Sequence, residues 1–462
     1  MMTSGSGYRL GHGRLLRLPR PGLDLWDLAA LLCLAASFLL VANAGFRPKP
    51  FGDMDFHLEA KALSTAIRGE TSWMDIGLTR APAPVVYYAI PYVFIRHGSP
   101  DDDYWRAGLL WTALWMGVSL LLLRRSASRL GGTTAGVLAV VITLLNPFNI
   151  YYAFGINAEN PAYLGTVLMI AAWFRANDQA PADKSSWSNA MALSLGTTVL
   201  ILSRPNGVLM LPLMVAAAIV LARRGDRAAV LLGRCVLVVV LALGATRMAM
   251  AQLPGRTGLA PQDSYLAHVM FLGSYQYRTE TWDWRFWGPT TRPDSADYIT
   301  WDETVTSLQR RAQREGVPAS SLEYDWILKD FLRNPLLRLK MAAVRALSIH
   351  VARVNSLSSE TFKVGPWEGP VAYWTVHVAI NALSIVVLGC ALLLTFRHPE
   401  GPWPVWPIWM PWLSLLAFHA VVYAEPRYLL PARPGLVVGA AALLAGVLPH
   451  RRAHVTKRPG EA

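Results

Sequence analysis

The most constraining feature of this chain is a series of apolar runs, each about twenty residues long, the length that crosses a bilayer as a helix. They fall at residues 25–44, 104–123, 131–148, 156–174, 187–203, 205–222, 228–251, 371–396, 404–424 and 428–449. Composition agrees. Of 462 residues, 53% are hydrophobic and only 16% charged, against about a quarter charged in soluble domains. The reading is an all-α polytopic membrane protein with about ten transmembrane helices. A net charge of +13 in a soluble chain would point to nucleic acid. Here the basic residues sit mostly in short links between apolar runs, which marks cytoplasmic loops, so no nucleic-acid partner is expected. Membrane lipids are the solvent.

The positive-inside rule orients the chain with both termini in the cytoplasm. Residues 1–24 form a basic N-terminus with Arg9, Arg14, Arg17 and Arg20. Ala42-Asn43-Ala44 is like a signal-peptidase site, but the apolar run is long for a signal, and an uncleaved anchor is expected. Arg124, Arg125 and Arg129, then Arg175 and Lys184, then Arg223, Arg224 and Arg227, then Arg397 lie on one side. Residues 25–251 make an N-terminal transmembrane core that includes an outer loop, 45–103. Residues 252–370 make a second outer region, 371–449 the C-terminal transmembrane helices, and 450–462 a cytoplasmic tail. Cys33, Cys235 and Cys390 lie inside apolar runs, spaced for neither a disulfide framework nor a zinc site.

Four outer links carry polar residues that an apolar chain does not need. The first loop opens Gly52-Asp53-Met54-Asp55-Phe56-His57. Phe56, Ala60, Leu63 and Ile67 recur at helical spacing and Gly69 stops the pattern, so a short amphipathic helix is expected on the outer leaflet. Asp53 or Asp55 then serves as an N-cap, or as a carboxylate held at the membrane surface where a general base could act. Arg204, in Ser203-Arg204-Pro205-Asn206-Gly207, stands on the side depleted of positive charge. It either snorkels to headgroups or grips an anion with its fork. Glu425-Pro426-Arg427-Tyr428-Leu429-Leu430-Pro431 lies between the last two runs. Glu159, in Asn157-Ala158-Glu159-Asn160-Pro161, opens the fourth. The stretch 336–354 reads as an amphipathic helix lying in the interface plane, with Arg338, Lys340, Arg345 and Arg353 beside apolar residues.

These motifs together resemble the GT-C superfamily, polytopic glycosyltransferases that use polyprenyl-phosphate sugars. The nearest branch is the protein mannosyltransferase and lipid A aminoarabinose transferase group. Gly52-Asp53, the amphipathic helix after it, the Pro- and Tyr-containing Ala81-Pro82-Ala83-Pro84-Val85-Val86-Tyr87-Tyr88, the Arg-Pro at 204–205 and the Arg-Tyr-x-x-Pro at 427–431 carry the resemblance. At 429 a leucine replaces the usual second arginine. The resemblance implies an inverting hexosyl- or pentosyltransferase acting on the extracytoplasmic side of the plasma membrane. Its general base is Asp53, with Asp55 the fallback. Arg204, Arg427, Tyr428 and Arg353 are the candidates for holding donor phosphate, and Arg345 and Arg247 are further basic residues in reach of the same face. Glu159 and His57 are the candidates for orienting the acceptor or holding a divalent metal. The donor partner is a polyprenyl-phosphate-linked sugar, and the acceptor a lipid, glycan or protein hydroxyl. There is no phosphate-cradling Gly-rich loop, so no nucleotide cofactor is expected. A polysaccharide polymerase or ligase would centre its chemistry on the late outer region, and a transporter would put ionisable groups at mid-membrane.

Overall fold

The computed structural model describes residues 24–43, 54–73, 76, 81–96, 98–146, 149, 155–179, 183, 185–252, 260–279, 296–350, 363–364, 367–398, 402–422, 424 and 426–447. They are helical almost throughout. The elements are α1 (Leu25–Asn43), α2 (Met54–Ile67), α3 (Pro82–Tyr92), α4 (Asp101–Leu145), α5 (Glu159–Asn177), α6 (Trp187–Ser203), α7 (Met210–Arg223) and α8 (Ala228–Ala251). Then come α9 (Ala260–Gly273), α10 (Ala296–Glu315), α11 (Ala319–Arg333), α12 (Pro335–Ser348), α13 (Gly369–Arg397), α14 (Trp406–Val421) and α15 (Arg433–Val447). A two-residue antiparallel pair, β1 (Lys363–Val364) with β2 (Trp367–Glu368), precedes α13. Each of the ten apolar runs falls on a helix. Among the described residues, five stretches are long and apolar enough to cross a membrane: Asp101–Leu145, Pro205–Arg223, Ala228–Met250, Gly369–Arg397 and Arg427–Gly446.

One expectation needs correcting. The runs at 104–123 and 131–148 are not joined by an open loop. They are two arms of α4, broken at Gly131 and Gly132, where Gly132 takes φ +74° and ψ −174°. Only glycine tolerates that backbone, because it has no Cβ to clash. A Cβ built on Gly136 would lie 2.9 Å from the Arg124 carbonyl oxygen. Twelve residues of straight helix span about 18 Å, so the second arm doubles back on the first.

The largest core joins α1, α4 to α8 and α13 to α15. Its helices approach through small residues, which lets backbones touch where no hydrophobic drive exists between helices in lipid. A Cβ on Gly165 of α5 would fall 2.6 Å from the Leu200 nitrogen of α6, and one on Gly435 of α15 2.6 Å from the Ile408 carbonyl of α14. Large apolar side chains such as Leu237, Leu241, Val378 and Phe396 face outward, as lipid-facing positions must.

Two smaller cores cap one end. Phe56, Ala60 and Leu63 of α2 pack on Val85, Tyr88 and Tyr92 of α3 and on the start of α4. Gly69 has φ +74°, the left-handed stop that the sequence implies. Ile67, expected on the buried stripe, is 49% exposed. On the other side α9, α12, the end of α14 and Tyr428–Ala432 share a core, while α9 also packs on α10 and α11. Helix α12 is amphipathic with its charge turned inward: Arg338, Met341, Arg345 and Ser348 are buried, while Leu336, Leu339 and Leu347 are exposed.

Candidate active site

Four sequence candidates from three separate segments meet at the capped end of the core. Glu159 opens α5 and is fully buried. The positive pole of a helix N-terminus suits a carboxylate there. The start of α5 is tied down by Tyr88, whose hydroxyl meets the Gly155 and Asn157 carbonyls at 3.2 Å and accepts from the Asn160 amide at 3.0 Å. Burial pushes the Tyr88 phenol up to about 12, so it remains a neutral donor.

Arg204 reaches the same carboxylate from the end of α6. Pro205 supplies no backbone N–H and keeps the preceding residue out of helical geometry. Arg204 is accordingly extended, at φ −134° and ψ 94°, and a short 3-10 turn Pro205–Leu209 leads into α7. Its guanidinium Nη2 donates to Glu159 Oε1. The glycine contacts between α5 and α6 fix the two segments that present this pair.

Arg427 and Tyr428 arrive from the 3-10 segment Pro426–Ala432 between α14 and α15. Arg427 Nε stands 3.9 Å from Glu159 Oε1. The Tyr428 ring packs beneath both guanidiniums, with Arg204 Cζ 4.8 Å and Arg427 Cζ 5.4 Å from its centroid. A cation over an aromatic face is held by the ring quadrupole. His419, from the last turn of α14, stacks on Tyr428 at 4.5 Å and 25°. Its Nε2 lies 2.5 Å from the Asn206 amide nitrogen.

Chemically this is one buried carboxylate between two guanidiniums and an aromatic plate. Glu159 neutralises one of the two positive charges, and its Oε2 has no hydrogen-bond partner. Guanidinium forks match phosphate oxygens in geometry as well as charge. Beyond Tyr428, Leu429 and Arg433 line a cavity of about 50 Å³ walled by Ile142, Leu383, Val387 and Leu436.

The remaining candidates lie elsewhere. Asp53 and Arg353 fall outside the described residues. Asp55 stands exposed on the first turn of α2. His57 is buried, its Nδ1 2.9 Å from the Tyr92 hydroxyl and its ring against Tyr92 and Trp105. Burial lowers its imidazole below the usual histidine range. That is a neutral packing histidine. Among the described residues no group of three or more His, Cys, Asp or Glu side chains could hold a metal ion. Arg247 is exposed on α8. Arg345 is buried away from the cluster, on backbone carbonyls. His419 and Asn206 escaped the sequence reading. An ionisable residue near the end of an apolar run was the available signal for His419. Asn206 lay inside the quoted Arg-Pro motif.

No family model matches the chain, and no curated protein does. Among solved structures the chain is similar to the oligosaccharyltransferase AglB from Archaeoglobus fulgidus, in complex with an inhibitory peptide and a dolichol-phosphate. That likeness has 12% identity and a TM-score of 0.49, and it covers 92% of this chain and 50% of that one. The chain thus spans about half the length of the archaeal enzyme. It is also similar to ArnT from Cupriavidus metallidurans bound to undecaprenyl phosphate, at 13% identity and a TM-score of 0.38, over 91% of this chain and 76% of that one.

Proposed function

We propose that this chain is a GT-C-type membrane glycosyltransferase that moves a hexosyl or pentosyl unit from a polyprenyl-phosphate donor to an acceptor hydroxyl. Ten spans would carry it, with both termini in the cytoplasm and the site on the extracytoplasmic side. One observation carries this reading. Two arginines distant in sequence converge on a single buried carboxylate.

In this scheme the acceptor oxygen attacks the anomeric carbon with inversion. Its proton passes to the Asp53 carboxylate, with Asp55 as the alternative. The bond from the anomeric carbon to the phosphate oxygen breaks, and its electron pair leaves with the lipid phosphate. Negative charge on that oxygen grows toward the transition state, so fixed donors there speed the reaction. Arg204 and Arg427 supply them. Glu159 holds the two guanidiniums in place, and Tyr428 supports both from below. The cavity beyond Arg433, lined by Asn146, Asn149, Ser384 and His350 as well as by apolar side chains, lies between α4, α13 and α15. A polymerase or ligase centred on the late outer region would use Arg345 or Arg353 for chemistry; of the two, the Arg345 guanidinium is engaged with the ends of two helices.

Mass spectrometry of cell-envelope glycans with and without the protein tests the activity. Loss of one sugar from one glycan or lipid is the expected result, and an unchanged envelope would refute it. In membranes supplied with a labelled polyprenyl-phosphate sugar, Asp53→Asn should abolish transfer and Asp55→Asn should spare it. Transfer by Asp53→Asn at the parental rate would remove Asp53 from the role of base.

A further inference from the structure

Among the described residues, the second outer region grips the chain that leads to the arginine cluster. Between α14 and α15 the backbone leaves helical geometry at Val422, with φ −87° and ψ −96°. Three residues beyond Ala424 comes Arg427. Two side chains from the second outer region hold this stretch.

Gln276 is fully buried just after α9. Its Nε2 donates to the Ala424 carbonyl at 2.9 Å, and its Oε1 accepts from the Ala424 N–H at 3.0 Å. The side-chain amide thereby pairs with one backbone unit as a neighbouring strand would. Arg345 of α12 is 1% exposed. Its Nε donates to the Ala420 carbonyl at 2.7 Å, its Nη2 to the Val421 carbonyl at 3.2 Å, and its Nη1 to the Gly273 carbonyl. Those carbonyls are the unsatisfied C-terminal groups of α14 and α9, where a helix favours a cation. A buried guanidinium is thus accommodated by the ends of two helices at once.

The turn that presents Gln276 is overdetermined. Tyr277, its neighbour, has φ +64°, a left-handed backbone costing a non-glycine residue about 1 kcal/mol. Such strain persists only where the surroundings impose it, and it gathers at functional sites. The next residue, Arg278, forks onto Asp330 of α11 at 2.8 and 3.0 Å, while its backbone N–H donates to Asp297 of α10 at 3.0 Å. Helices α9 to α12 all brace the one turn that grips Ala424.

We propose that Gln276 and Arg345 are positioning residues: they clamp residues 420–424, and through them set the register of Arg427 and Tyr428 against Glu159 and Arg204. This rests on the phosphate-binding reading of that cluster. Gln276 and Arg345 then tune the affinity for lipid phosphate through the backbone that carries Arg427 and Tyr428.

The test uses the full chain in lipid nanodiscs, with farnesyl phosphate as the probe and farnesol as its headless control. Arg427→Ala should weaken farnesyl phosphate by about tenfold or more, and Gln276→Ala by about tenfold, with farnesol unmoved in both. The double variant should bind more tightly than two independent losses would give, because Gln276 acts through Arg427 and its neighbour Tyr428. Arg345→Lys, which keeps the charge and loses the fork, should behave as Gln276→Ala does. Parental affinity in Gln276→Ala, or losses that multiply in the double variant, would overturn the clamp. Equal loss of farnesol binding would also overturn it, as general damage. If Arg427→Ala itself binds as the parent does, the phosphate reading fails and the inference falls with it.

Discussion

Two ion clusters sit at opposite ends of the helical core, and they are built on different plans. At the α1 end, Asp27 is 1% exposed and each of its oxygens is taken, Oδ1 by Arg124 Nε at 2.7 Å and Oδ2 by Arg125 Nη2 at 2.9 Å. Asp24 meets the second arm of the Arg124 fork at 2.5 Å. Two carboxylates face two guanidiniums, so the charges cancel. The α2 end sets one carboxylate against two guanidiniums and leaves Glu159 Oε2 without a hydrogen bond. A balanced, saturated cluster fastens α1 to α4 and needs no ligand. The second cluster, with Glu159 Oε2 unfilled among the described residues, is the one we propose receives a phosphate. Buried arginine alone is therefore a poor marker of a site; unfilled bonding capacity separates a staple from a receptor.

Perturbing each plan should give different signatures. The largest effect is expected at the staple. Arg124→Ala leaves Asp27 buried without its main partner and should cost about 3–5 kcal/mol of stability, read as a lower unfolding midpoint and less folded protein. At the other end, Arg204→Ala should slow sugar transfer by about 10²- to 10³-fold, the usual loss for one donor at a developing anion. Its unfolding midpoint should move much less than that of Arg124→Ala. A large fall in stability with modest kinetic loss would make Arg204 a second staple.

Gly196→Val lies between these extremes. Its Cβ would meet the Met169 backbone of α5, with the Met169 Cα 2.9 Å away. Overpacking of this kind costs about 1–3 kcal/mol. Because it pushes α5 from α6, transfer should fall further than stability alone accounts for, measured as rate per folded molecule.

The smallest effect concerns pH. His57 is held below its ordinary value of 6.5 by burial. The unfolded chain therefore takes up the proton first, and stability drops as pH falls below about 6.5, at no more than about 1.4 kcal/mol per pH unit. His57→Gln should flatten that slope between pH 5 and 7 in thermal unfolding, with little change at pH 8.

The helices were legible because period and length are local properties. All ten apolar runs lie on helices, and α2 ends at Ile67, two residues before the glycine that was read as its stop. The α4 hairpin was not. Arg124, Arg125 and Arg129 read as a loop, whereas two of them bond inward to Asp24 and Asp27 and the reversal happens at Gly131–Gly132. Basic residues mark an end of the bilayer, and say nothing of how the chain turns there. In the site, Glu159, Arg204, Arg427 and Tyr428 could each be singled out as polar groups at the end of an apolar run, but their contact could not. Their convergence depends on the glycine-to-glycine approach of α5 to α6 and on the grip on Ala424, both long-range. Helix α12 shows the same limit from the other side. Its amphipathic period was plain, yet Arg345 turned inward to cap two helices while Leu336, Leu339 and Leu347 turned out.

The most direct measurement is single-turnover transfer from a labelled polyprenyl-phosphate sugar, per folded molecule, by Arg427→Ala and Arg124→Ala side by side. The phosphate-receptor account predicts a loss of about 10²-fold or more for Arg427→Ala and the parental rate for whatever Arg124→Ala remains folded. Equal rates per folded molecule in the two variants would contradict it.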